Sequence, residues 1–183
     1  MPTLSQLLAR GSEAAIALSA PGRPPLTHGA LRALIADTLA RLNALGIGRN
    51  DRVAIVLDNG PEMAACFIAC ASGVTSAPLN PAYREDEFDF YLSDLRAKAL
   101  IVARGSASPA VAVAGRHGVR VLDLVVPEGA PAGLFTLEPR SPGNDAPAAQ
   151  GGFAEEGDVS MLLHTSGTTS RPKIVPLSQA NLA

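Results

Sequence analysis

Between Arg52 and Val126 the chain alternates short aliphatic runs with stretches of helical spacing, and this alternation constrains the fold more than any other feature. The run Arg52-Val-Ala-Ile-Val-Leu57 is bounded by Asp51 and by the turn string Asp58-Asn-Gly-Pro61, which predicts a buried strand. Pro61 then opens a helix through Ser72 that Gly73 stops, and Thr75 to Leu79 is a short extended piece ending before Pro81. From Arg84 to Leu95, Phe88, Tyr91, Leu92 and Leu95 recur on one side of a helix. Leu100–Val102 and Val119–Val126 predict two more strands, separated by an Ala/Val-rich helix from Pro109 to His117. Strands that are apolar along their length must be covered on both faces, and crossover helices supply that cover. The expected fold class is α/β, with a doubly wound, mostly parallel sheet flanked by helices. Sheets of this kind bind ligands beyond the carboxyl ends of their strands.

Upstream, Leu31, Leu34, Ile35, Leu39, Leu42 and Leu45 form an apolar stripe on a helix from His28 to Leu45, with Thr27 placed to cap its start and Gly46 its end. Downstream, residues 127–152 hold five Pro and five Gly, which marks an irregular crossing. The chain is therefore divided into an α/β subdomain at 1–126, a Pro/Gly-rich crossing at 127–157, and a strand, polar loop and helix start at 158–183. That last helix has only its first turn after the Ser178 N-cap, so the sequence is expected to be part of a longer protein.

With 183 residues, 47% of them hydrophobic, the chain can bury a core. The net charge of −2 comes from scattered residues, so no basic surface for nucleic acid or anionic lipid is expected. The longest apolar run, Met63 to Ala71, is too short to span a bilayer, and the first residues lack the pattern of a secretory signal. Cys66 and Cys70 lie four apart in a helical run with no histidine nearby, which favours buried packing over metal or redox chemistry. A reducing, cytoplasmic location is expected. No feature of the sequence bears on oligomeric state.

The segment after the predicted strand Val159–His164 concentrates polar chemistry. A loop that grips a triphosphate needs close backbone approach, several donors and a cation. Gly167 permits the approach and tolerates left-handed backbone that turns successive N–H groups inward. Thr165, Ser166, Thr168, Thr169 and Ser170 offer hydroxyls, and Lys173, next to Pro172, offers a point charge. The string lacks the Gly-Lys-Ser/Thr of a Walker loop, and Gly46-Ile-Gly48 precedes a strand where a Rossmann fingerprint would follow one.

The string Thr165-Ser-Gly-Thr-Thr-Ser-Arg-Pro-Lys173 after an apolar strand resembles the signature loop of the adenylate-forming superfamily. That superfamily includes acyl-CoA synthetases, aryl-CoA ligases, luciferases and nonribosomal peptide adenylation domains. Leu26-Thr-His-Gly-Ala-Leu31, Leu45 to Val53, Asn59-Gly-Pro-Glu62 and Ala77-Pro-Leu-Asn-Pro81 are similar to further landmarks of its N-terminal subdomain. His164, Ser170 and Ile174 depart from the general pattern, where an aromatic residue and two glycines are usual. Leu163 to Lys173, Val175 to Gln179 and Asn80 to Asp94 are similar to oxalyl-CoA synthetases in particular, although Ile174 departs from that group too.

The resemblance implies a two-step reaction using ATP, Mg2+ and coenzyme A. A carboxylate, oxalate by subfamily likeness, attacks the α-phosphorus of Mg-ATP, and the thiol of coenzyme A then displaces AMP from the acyl-adenylate. It also implies that Thr165, Ser166, Gly167, Thr168, Thr169, Ser170 and Lys173 hold the β- and γ-phosphates, with Lys173 in the catalytic role. Two alternatives stay open: an adenylation domain that passes its acyl group to another acceptor, and a non-catalytic phosphate-binding module. Because only one nucleotide-contacting segment of the family lies within it, the chain alone is expected to be inactive.

Overall fold

The computed structural model describes residues 2–142, 146–165 and 172–183. A short helix α1 (Leu4–Leu8), capped by Thr3, and a small antiparallel pair, β1 (Ile16–Leu18) and β2 (Leu26–Thr27), precede the main body. Helix α2 (His28–Ala44) starts where expected: the Thr27 hydroxyl accepts from the Ala30 amide, and Gly46 leaves the helix at φ +79°. Then follow β3 (Arg52–Val56), α3 (Pro61–Ala71), β4 (Thr75–Pro78), α4 (Glu85–Leu95), β5 (Ala99–Ala103), α5 (Pro109–Arg116) and β6 (Arg120–Val125). The chain continues through β7 (Thr136–Pro139), β8 (Val159–Thr165), β9 (Lys173–Ser178) and α6 (Gln179–Leu182).

Among the described residues the main sheet has seven strands in the order β7-β6-β5-β3-β4-β8-β9. Strands β3, β4, β5, β6 and β8 are parallel, whereas β7 and β9 close the two edges antiparallel to β6 and β8. The two-residue side-chain period divides the core between the faces. Val53 and Ile55 of β3 and Ala99 and Ile101 of β5 point toward α2 and α3, while Ala54, Val56, Leu100 and Val102 meet α4 and α5. Phe88 fills the centre of the second cluster at 0% exposure. Both cysteines are free and fully buried on α3, and a hydrogen bond with Cys70, followed by burial, pushes the Cys66 thiol well up.

Two elements run differently from the sequence expectation. Residues 127–157 are not wholly irregular, because Thr136–Pro139 pairs with β6 from Leu122↔Pro139 to Val125↔Thr136. Their Pro and Gly content masks a strand whose apolar contribution is little more than Leu137. Between the polar loop and the last helix, where the sequence division names no second strand, Lys173–Ser178 is a full strand that passes through Pro176, a residue tolerated there because β9 is an edge.

Backbone and side-chain hydrogen bonds tie the crossing down. Arg23 donates to the carbonyls of Ala130 and Pro131 and pairs with Glu62, which also accepts from the Gly133 amide at 3.1 Å. Burial alone would raise the Glu62 carboxyl, but Arg23 and Gly133 outweigh it and hold the group below its ordinary value. Further on, Ala148 donates to the Asn43 carbonyl at 2.8 Å and Ala154 to the Ser72 carbonyl at 2.8 Å. Among the described residues no helix is long and apolar enough to cross a membrane.

Candidate phosphate-binding site

The site begins with the placement of β8. Its amino end is fixed by Asp158, which is 7% exposed and directly precedes the strand. Arg49 donates to Asp158 through Nε (2.6 Å) and Nη2 (3.2 Å), and Asn50 Nδ2 donates at 2.9 Å. Asn50 also accepts from the Val159 amide at 3.1 Å, which joins the turn before β3 to the first residue of β8. Burial acts to raise the Asp158 carboxyl, yet these donors and the Glu155 amide hold it below the usual carboxylate range.

Along the strand, β8 meets β4 at Ser76↔Met161. Two β4 hydroxyls reinforce the contact: Thr75 Oγ1 donates to the Val159 carbonyl (2.7 Å) and Ser76 Oγ to the Ser160 carbonyl (3.0 Å). β8 therefore delivers its carboxyl end beside the exit of β4, at the ligand-binding edge of the sheet. There Thr165, the last residue of β8, stands opposite Lys173, the first residue of β9. The Thr165 hydroxyl donates to the Lys173 carbonyl at 3.4 Å, and both residues are exposed. Ser166, Gly167, Thr168, Thr169 and Ser170 lie outside the described residues.

His164, which departs from the family pattern in the sequence, is placed by contacts with α4. Its side chain is 6% exposed, and Nε2 lies 3.1 Å from Asp94 Oδ2. The ring packs edge-on against Tyr91 with centroids 4.6 Å apart, and Tyr91 stacks on Tyr83 at 4.8 Å. A hydrogen bond with Tyr91, followed by burial, pushes the Tyr83 phenol up to about 12, so it stays neutral at ordinary pH. Asp94 had no sequence signal, being one of several acidic residues on α4 and seventy positions from its partner. Asn181 serves α6 as a cap, its Oδ1 accepting from the Ser178 amide at 3.0 Å. Gln179, which carried no sequence expectation, is fully buried and links Ala71 of α3 to the Leu4 amide of α1.

The whole-chain pattern decides the family. A family model described as "AMP-binding enzyme" matches residues 8–183. The chain belongs to the AMP-binding enzyme family. Relatives within the family include a Humulus lupulus protein named "Probable CoA ligase CCL9", 39% identical over 91% of this chain and 32% of its own length. The "Oxalate--CoA ligase" of Arabidopsis thaliana is 38% identical over the same shares. The chain thus spans about a third of the length of these curated relatives. Among solved structures, apo MatB from Rhodopseudomonas palustris shares the fold with a TM-score of 0.73 at 23% identity, covering 98% of this chain and 35% of MatB. The α/β subdomain is accordingly that of the adenylate-forming enzymes.

Proposed function

We propose that the protein to which this chain belongs is an ATP-dependent acid–CoA ligase that activates a carboxylate as an acyl-adenylate and transfers it to coenzyme A. One observation carries this reading: the sheet sets Thr165 and Lys173 opposite each other at its carboxyl edge, at the two ends of a Ser/Thr/Gly segment of the AMP-binding family. In the first step a carboxylate oxygen attacks the α-phosphorus of Mg-ATP, and the bond to the bridging oxygen breaks as pyrophosphate leaves with the electron pair. In the second step the sulfur of coenzyme A attacks the acyl carbon and AMP departs.

The chain's part belongs to the first step. The Lys173 ammonium and the hydroxyls of Thr165, Ser166, Thr168, Thr169 and Ser170, with the backbone at Gly167, would hold the β- and γ-phosphates as charge builds on the leaving group. No proton needs to be moved by these residues. Magnesium would arrive as part of the Mg-ATP substrate, its charge shared with Lys173 on the same phosphate oxygens.

Oxalate is the favoured acid, on likeness to the Arabidopsis ligase and to the motif strings around Asn80 and His164. Acid-dependent ATP–pyrophosphate exchange by the full-length protein, measured with oxalate, short fatty acids and aryl acids, tests the reading. Exchange with oxalate above the others, and AMP release that requires coenzyme A, is the expected result. Exchange with no acid would overturn the enzyme assignment, and exchange without any effect of coenzyme A would favour another acyl acceptor.

A further inference from the structure

The half of β8 that leads to Thr165 is held differently from the half that enters the sheet. Its backbone pairing with β4 is at Met161, and the reinforcing Thr75 and Ser76 hydroxyls reach Val159 and Ser160. From Leu162 to Thr165 the backbone partner is β9, itself an edge strand. What ties this end to the body of the sheet lies on the α4 face. His164 is wedged there between Asp94 Oδ2 at 3.1 Å and the Tyr91 ring at 4.6 Å, with Phe90 at 6.3 Å. Its cross-strand partner Ile174, standing where a glycine is usual in the resemblance, packs on the same side against the α4–α5 core. Tyr91 is in turn backed by Tyr83, so the contacts run from the β4–α4 connection to the residue before Thr165.

We infer that His164 is a positioning residue for nucleotide activation: held by Asp94 and Tyr91, it fixes the carboxyl end of β8 and so the placement of Thr165 and Lys173. A nearly buried imidazole needs a polar partner, and an off-strand anchor suits a strand end that its inner neighbour no longer pairs with. The inference rests on the proposed ligase reading, because it assigns His164 a role in holding that site and no contact with the reacting atoms.

The test uses the full-length enzyme in ATP–pyrophosphate exchange. His164→Ala is expected to raise KM for ATP about tenfold and to lower kcat as Lys173 is displaced from the leaving group, with KM for the acid changing less than about twofold. Asp94→Ala should raise KM for ATP about threefold, since that carboxylate is partly exposed, and Asp94→Asn, which keeps an acceptor, should restore most of the loss. His164→Phe keeps a ring against Tyr91 and should match Asp94→Ala, with the double variant no worse than either single. A merely structural role would lower the melting temperature and the active fraction while leaving KM for ATP in the folded enzyme unchanged. If His164→Ala does not accumulate, the Asp94 pair carries the test on its own. Wild-type KM for ATP in both Asp94→Ala and His164→Phe would overturn the inference while leaving the ligase reading intact. A wild-type enzyme that shows no acid-dependent exchange would overturn both.

Discussion

Asp158 shows how a single carboxylate positions a strand well away from the chemistry. It accepts from Arg49, Asn50 and the Glu155 amide, and its carboxyl is held below the ordinary range. Because the native value is depressed, its stabilisation is fully present above the unfolded-state value and is lost as pH falls through the native one. Asp158→Asn is therefore expected to cost about 2 kcal/mol at neutral pH and to flatten the acid limb of stability below the usual aspartate range. Urea melts of wild type and variant from neutral pH downward check both effects; parallel curves with an unchanged acid limb would contradict them. None of this was legible in the sequence, because Asp158 and Arg49 are brought together across 109 residues by the sheet. Thr27 and Phe88 were legible, since caps and helical stripes are local patterns.

At the scale of elements, close backbone contact between the α2–β3 turn and the crossing segment sets a strict limit at Gly48. A Cβ there would lie 2.1 Å from the Gln150 carbonyl oxygen, a backbone atom that cannot rotate away. Gly48→Ala is expected to destabilise by about 1–3 kcal/mol, which thermal denaturation would register; an unchanged melting temperature would show that the crossing shifts freely. Cys66 and Cys70 on α3 give a second reading of the same packing. Fully buried, with the Cys66 thiol pushed up, they should react with an aromatic disulfide reagent only as fast as the protein unfolds. Rapid labelling in native buffer would contradict the buried placement. The strands β3, β5 and β6 were legible as unbroken aliphatic runs, α2 and α4 from their helical stripes, and α3 from the Pro61 and Gly73 that bound it. Strand β7 was not, since one buried leucine in four residues leaves no period to detect. The antiparallel closure by β9 was hidden by Pro176, which a sequence pattern marks as a breaker and an edge strand accommodates.

For the whole molecule, sheet order explains why the candidate site lies where it does. The three βαβ crossovers build β4-β3-β5-β6, and the crossing segment then carries the chain back to lay β8 against β4. This return places the Thr165 and Lys173 ends at the carboxyl edge of a sheet whose two faces are already covered by α2 and α3 and by α4 and α5. The Thr165–Lys173 string marked a candidate site in the sequence, whereas its mounting was not legible: the Asp94–His164 contact and the Arg49–Asp158 contact depend on topology that no local pattern encodes. The curated relatives are about three times as long as this chain, and on the proposed ligase reading the adenine, ribose and coenzyme A contacts would fall outside it. The 183-residue chain on its own is accordingly expected to fold without acid-dependent pyrophosphate exchange.

The central claim, that the residues from Thr165 to Lys173 hold the pyrophosphoryl oxygens of ATP, is tested most directly by pyrophosphate exchange in the full-length protein carrying Thr168→Ala and Lys173→Ala together. Loss of a donor and a cation from the leaving group should lower the exchange rate by about a hundredfold or more, with the melting temperature of the unliganded protein unchanged. Full exchange activity and unaltered ATP affinity in that double variant would contradict the account.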